Sequence, residues 1–305
     1  MKAHRQLLLL TAMLGSSVSL ACKAPAPETF QVRVMSIDAH GGPALQEDRV
    51  HSIVRRSLAL APSFSPAERD RRSGGRSDAL VASFEYRELP DPSDHGRDLM
   101  VRLKLEAPVE LADRLGPEGL DVTILLEREA GEADLSADLQ LATDRVTTIL
   151  QARADLARGA GGAVIDLLES GDSDLVLLTL EWIREHGDET QAKLAANHVA
   201  ELIKDEDERV GLLAIETIGE IGGPEHVSAL LERIQLADSH QVSRAYDALS
   251  RLGGPEAAGF LEFAARNEDE PERRAAAERA LRRVADSAMV GAGGRDDRTQ
   301  NRGHR

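Results

Sequence analysis

A single cysteine, Cys22, stands in a chain of 305 residues. That excludes an intramolecular disulfide and a zinc site built on paired thiolates. Aromatic residues amount to 3%, with one tryptophan and two tyrosines, too few for an interface of aromatic hot spots. Positive charge is also scarce: 37 Lys and Arg face 53 Asp and Glu, for a formal charge of −16. Such a surface repels phosphate backbones and anionic headgroups, and no Lys/Arg run with interleaved aromatics offsets it. Nucleic acid is therefore not an expected partner. After Leu14 no apolar run is long enough to span a bilayer. What is plentiful is Ala, Leu, Val and Ile, within 42% hydrophobic residues, and small side chains let helix axes approach closely. The length leaves room for two cores.

The N-terminus reads differently. Lys2 and Arg5 precede the apolar stretch Leu7–Leu14, which passes into the small residues of "GSSVSLAC" and ends at Cys22. This order predicts a secretory signal over residues 1–21, too short for a normal transmembrane helix. Its removal takes Lys2 and Arg5 away and moves the formal charge from −16 to −18. "SLAC" at Ser19–Cys22 resembles the lipobox of bacterial lipoproteins, whose cysteine is diacylated on sulfur and becomes the new N-terminus. Ser19 and Leu20 are exchanged relative to the commonest order. Ser19-Leu20-Ala21 also satisfies the small-x-small rule of ordinary signal peptidase, which stays open as the alternative. The resemblance implies lipid attachment at Cys22 and a place in the cell envelope. Lys23 stands where an inner-membrane lipoprotein usually carries aspartate, which implies the outer membrane. Residues 22–29, with "KAPAPE", read as a short tether. Acyl chains, not surface charge, would then provide membrane attachment.

From residue 30 to 142 the dominant period is two. Strands are expected at Phe30–Val34, Leu80–Tyr86, Leu99–Leu105, Leu120–Leu126 and Leu135–Leu141, with Arg102 and Lys104 turned away from the apolar face. Val50, Ile53, Val54 and Leu58 fall at helical spacing between the first two. One helix followed by a meander predicts an α+β domain with an antiparallel sheet. The order resembles small α+β modules of bacterial envelope lipoproteins, a likeness of topology that carries no residue motif.

After Thr143 the period becomes 3.6. "AIETIGEIGGPEHVSALL" at 214–231 returns 31 residues later as "AYDALSRLGGPEAAGFLE" at 245–262. Ala214 matches Ala245, Ile218 matches Leu249, and Gly222-Gly223-Pro224-Glu225 matches Gly253-Gly254-Pro255-Glu256. Ala277, Ala280, Leu281 and Val284 form a weaker copy, and Leu178, Leu180, Ile183 and Gly187 an earlier one. The glycines are expected at positive φ, ending one helix, with Pro opening the next and Glu near its positive N-terminus. Pairs that bury one stripe each must stack to bury the other. These residues, with the Leu-Gly-like steps Ile218-Gly219 and Leu249-Ser250, resemble HEAT repeats, in the short bacterial form that includes phycobilin lyase subunits. The resemblance implies an all-α HEAT-like helical solenoid over residues 143–286.

Catalytic and metal motifs are missing. His198, His226 and His240 are scattered over three segments, and His226 reads as a surface residue in a capping region. "DSD" at Asp172–Asp174 and "DEDE" at Asp205–Glu208 lack the glycine and final glutamate of a calcium loop and read as helix caps. There is no Gly-x-Ser-x-Gly elbow; "GAGG" at Gly159–Gly162 lacks the Lys of a phosphate loop, and "DHGRD" at Asp94–Asp98 is a polar turn. No catalytic residue, metal or cofactor is assigned.

An interaction surface is the better prospect. Residues 160–290 hold 27 Asp/Glu and 13 Lys/Arg. On the second helix of each pair, Lys193, Asn197 and Glu201, then Ser228 and Glu232, then Gly259 and Phe263, are expected to face outward. Phe263 occupies the slot of Glu232 and is expected to pack under the C-terminal helix, with an apolar contact for a partner as the alternative. Trp182 is expected to fill space against the preceding domain, and residues 287–305 to form a tail without structure. The expectation is an envelope lipoprotein whose acidic solenoid presents a scaffold to a basic protein partner. The alternatives are an accessory enzyme of the lyase type, and an α+β domain that carries the activity with the solenoid as its brace.

Overall fold

The computed structural model describes residues 29–40, 45–67, 79–90, 97–109, 111, 115, 119–128, 134–159, 161–233 and 239–293. The signal segment, Cys22 and all of the tether except Thr29 lie outside the described residues, as do Asp94 and His95.

The N-terminal part is a five-stranded sheet with helices on one face. Its strands are β1 (Phe30–His40), β2 (Phe64–Pro66), β3 (Leu80–Pro90), β4 (Arg97–Glu106) and β5 (Leu120–Leu126), in the order β2-β1-β3-β4-β5. Alternation puts Val32, Phe84, Tyr86, Val101 and Leu103 on the buried face, while Arg102 and Thr123 stay exposed. A bulge at Met35 shifts the β1 register, so that Ile37 and not Ser36 stands beside Phe84. The sheet is mixed, which corrects the antiparallel expectation. Helix α1 (Glu47–Leu60) is a crossover that returns the chain as β2 parallel to β1, and β3 pairs parallel on the other side. Only β3, β4 and β5 form the expected antiparallel meander.

The expected fifth strand, Leu135–Leu141, is instead the start of α2 (Leu135–Ala157). Its alternating leucines were misleading: Leu139 is fully buried, whereas Leu141 is 60% exposed. Asp134 caps the helix by accepting from the Ser136 amide at 2.9 Å. Arg128 fixes its first turn, donating to Asp138 and to Glu88, each at 2.7 Å. Leu139, Ala142, Val146, Leu150 and Ala154 join the sheet core, and only Leu156 belongs to the core beyond. A division at 142/143 therefore cuts through a helix that the α+β domain needs.

Beyond α2 come α3 (Gly161–Leu168), α4 (Ser173–His186), α5 (Glu189–Glu201), α6 (Glu208–Ile221), α7 (Val227–Arg233), α8 (Ser239–Leu252), α9 (Gly254–Asn267) and α10 (Pro271–Gly293). First helices α4, α6, α8 and α10 contact one another in sequence, and α3, α5, α7 and α9 form the second layer. The positions equated in the repeats are core positions: Ala214, Ile218, Ala245, Leu249 and Ala277 are all 0% exposed. Helix α10 runs on to Gly293, seven residues past the point where a tail was expected.

The two Gly-Gly-Pro-Glu turns differ. Gly253 and Gly254 have φ of 68° and 85°, as expected, and Gly254 abuts Pro224 of the preceding turn. Gly222 and Gly223 have φ of −80° and −129°, so the positive-φ expectation fails there. At Gly222 the constraint is space: a Cβ would come within 2.6 Å of the Ile218 carbonyl oxygen and 2.8 Å of Leu252. Gly187, its counterpart one repeat earlier, meets the Ile183 carbonyl oxygen in the same way, at 2.5 Å.

Candidate functional site

The connectors joining each second helix to the next first helix lie at the N-terminal ends of α4, α6 and α10. Described segments 169–172, 202–207 and 268–270 carry eight carboxylates and one cation, Lys204. Because the first helices run side by side, these connectors form one edge of the array, an acidic rim. Helix polarity favours acids there, and several of them are spent on capping. Asp172 accepts from the amides of Asp174 and Leu175, and Asp207 from that of Arg209. On the opposite edge Asp188 forms a capping box with Gln191.

Three rim acids are also held by arginines, Glu270 by Arg273 at 3.3 Å and Asp172 and Asp207 as follows. Arg145 on α2 donates to Asp172 and, at 2.7 Å, to Asp174, tying the α+β domain to the first repeat. Hydrogen bonding from Arg145 holds the Asp172 carboxyl below the usual range, and that carboxylate in turn raises the guanidinium. Asp207 is pulled down to about 2, first by the side chain of Arg209 and also by Ser173 of the neighbouring repeat. Glu220, elsewhere on α6, is lowered by Arg184. A free aspartate titrates near about 3.9, so the Asp207 contacts contribute fully above that value and are lost as the pH falls from about 4 toward about 2, and those of Asp172 are likewise lost on the acid side of the free value. The melting temperature is expected to be level above about pH 5 and to drop below about pH 4. In Asp172→Asn the neutral-pH melting temperature is expected to be lower and the acid drop shallower. Thermal melts across that range check both.

The exposed face of the first helices is occupied by its own charges. Arg184 reaches Glu216 at 3.2 Å and Glu220 at 3.0 Å; Arg244 pairs with Glu216, Arg251 with Glu220 at 2.8 Å, and Arg283 with Asp247. Sequence reading missed this ladder. Its signal was the repeat length itself: Arg251 follows Glu220 by 31 residues, so opposite charges occupy equivalent places on adjacent helices.

On the second helices, Lys193, Asn197, Glu201, Ser228 and Glu232 are exposed, as expected, and so is Phe263. Several are engaged with neighbours. Lys193 pairs with Glu189 at 2.7 Å, Arg233 of α7 reaches back to Glu201 at 2.6 Å, and Ser228 donates to Glu256 of α9 at 2.8 Å. The last two contacts tie successive repeats together. Phe263 does not pack under α10: its side chain is 63% exposed, because Leu261 and Ala264 take the inward positions of α9. Leu194 is 57% exposed on α5. His226 is not a surface residue. Its side chain is 11% exposed and its Nδ1 accepts from the Gly223 amide at 3.2 Å, closing the turn.

Trp182 stands where α4 meets the α+β domain, half-buried against the array core, with its ring stacked on His186. It lines a cleft of about 540 Å³ between β5 and the first repeat, floored by Leu115, Leu120, Leu156 and Leu178. Among the described residues no three His, Cys, Asp or Glu side chains converge as a metal site, and no helix is long and apolar enough to cross a membrane.

The family model for HEAT repeats matches residues 195–282, from within α5 to within α10. No curated protein and no solved structure gives a match. The C-terminal half is a HEAT-like array of stacked helix pairs, similar over that segment to a family whose repeats mediate contacts between proteins.

Proposed function

We propose that the protein is an exported, lipid-anchored adaptor of the cell envelope, held through Cys22, which docks a basic protein partner along its acidic rim and the adjoining second-helix face. The observation that carries this reading is the distribution of charge. The acid excess of the array concentrates in the connectors, whereas the first-helix face is largely matched by its own arginines. A field of one sign along one edge steers an oppositely charged partner and favours the orientation in which it arrives. Leu194 and Phe263, on α5 and α9, add apolar contact area beside it. The mechanism is mechanical and electrostatic, with no bond made or broken: acyl chains fix the position, and the array supplies a rigid surface.

Two measurements test the two halves of the proposal. Mass spectrometry of the mature N-terminus is expected to find diacylated Cys22; an unmodified cysteine, or a chain beginning elsewhere, removes the anchor. A photo-crosslinking residue at Glu206 on the rim is expected to capture one specific protein, and the same residue at Arg102 on the open face of the sheet is expected not to. Equal capture at both places, or none at either, contradicts the docking surface.

A further inference from the structure

The cleft between β5 and α4 is not used by the rim. Its floor is apolar, with Leu120 and Leu156 at 5% and 1% exposure and Trp182 at one side. His186 stacks on the indole at 5.9 Å and 18°, and its Nδ1 lies 3.9 Å from the carboxylate of Glu185. A volume of about 540 Å³ is within the range of clefts that enclose a ligand. At the mouth stand Glu181 and Glu185, one helical turn apart on α4 and both exposed. Arg153 is the one arginine or lysine among the described residues that line the cleft, and its guanidinium donates to the Asp121 carbonyl of β5 at 3.0 Å.

We infer that this cleft receives a short basic, apolar segment of the protein partner. An apolar side chain seats on Leu120, Leu156 and Trp182, and a neighbouring Lys or Arg reaches the carboxylates of Glu181 and Glu185. Charge complementarity chooses this occupant: an acidic segment would meet two carboxylates at the mouth of a site on a chain of net charge −16. The inference rests on the adaptor reading and names a second contact for the same partner, about which the rim itself says nothing.

Because Trp182 is the only tryptophan, its fluorescence reports occupancy directly. Titration of the whole protein with acetyl-Leu-Lys-Leu-Lys-amide is expected to give a saturable change in emission, and acetyl-Leu-Glu-Leu-Glu-amide none. Neutralising Glu181→Gln and Glu185→Gln is expected to weaken binding roughly threefold for each carboxylate lost. Ala157→Phe is expected to fill the cleft and abolish the response with the melting temperature unchanged, since Ala157 is exposed at the cleft wall. A response that is absent, equal for the acidic peptide, or undiminished in Ala157→Phe overturns the inference. Capture from Glu206 does not involve the cleft, so its success beside a failed titration would leave the adaptor reading standing and remove this one alone.

Discussion

A fragment of residues 29–142 is expected to remain unfolded, whereas residues 29–159 are expected to unfold as one cooperative unit. The shorter piece lacks Val146 and Leu150, both 0% exposed, together with Ala154, all from the helix that covers the sheet. Removing a single buried leucine side chain costs about 2–5 kcal/mol, and a domain has only about 5–15 kcal/mol in total. The shorter piece also lacks Asp144, which accepts from Ser57 at 2.5 Å, and Gln151, which accepts from the Ser63 amide at 2.8 Å. Those contacts dock α2 on α1 and on the turn before β2. Circular dichroism and urea unfolding of the two fragments decide the matter. A folded 29–142 piece would mean that α2 belongs to the array after all.

The second large effect concerns Gly219, in the last turn of α6. Helix propensity alone favours alanine there by about 1 kcal/mol. Against that, a Cβ would lie 2.7 Å from Ala248 Cα and 2.8 Å from Ala248 Cβ. Neither atom is the end of a flexible side chain, so α6 and α8 must move apart, and overpacking of this kind costs about 1–3 kcal/mol. Packing is expected to win, and Gly219→Ala to be destabilised. Gly259, on the exposed face of α9, has nothing within 4 Å of an added Cβ. There propensity acts unopposed, and Gly259→Ala is expected to gain about 0.5–1 kcal/mol. Urea midpoints of the two variants should therefore shift in opposite directions; a stabilised Gly219→Ala would refute the close crossing of the helices.

Local pattern carried most of the architecture. Helix α1 runs from Glu47 to Leu60, where helical spacing placed it, and the equated positions of the repeats are the buried ones. Failures came where a local signal was ambiguous or where geometry is set by a distant partner. Leu135, Leu139 and Leu141 fit a strand as well as a helix, and only the sheet beneath chooses between them. Strand β2 has three residues, among them Pro66, which an edge position tolerates. Its parallel pairing follows from the path of α1, which alternation does not encode. At Gly222 the need for glycine arises from Ile218 and from Leu252 of the next repeat, so identical letters serve two different turns. The acidic caps were legible because a cap is local. The arginine ladder, the cleft at Trp182 and the exposure of Phe263 depend on which helices become neighbours.

Of all possible measurements, the affinity of the crosslinked partner for variants of the rim bears most directly on the adaptor reading. Glu206→Gln and Asp269→Asn remove rim charge and leave Asp172 and Asp207 to cap their helices. Binding is expected to weaken a few-fold, mainly through slower association, and to become less sensitive to salt, with the melting temperature unchanged. Affinity and salt dependence equal to those of the unaltered protein would show that the acidic rim is only helix capping, and that recognition lies elsewhere.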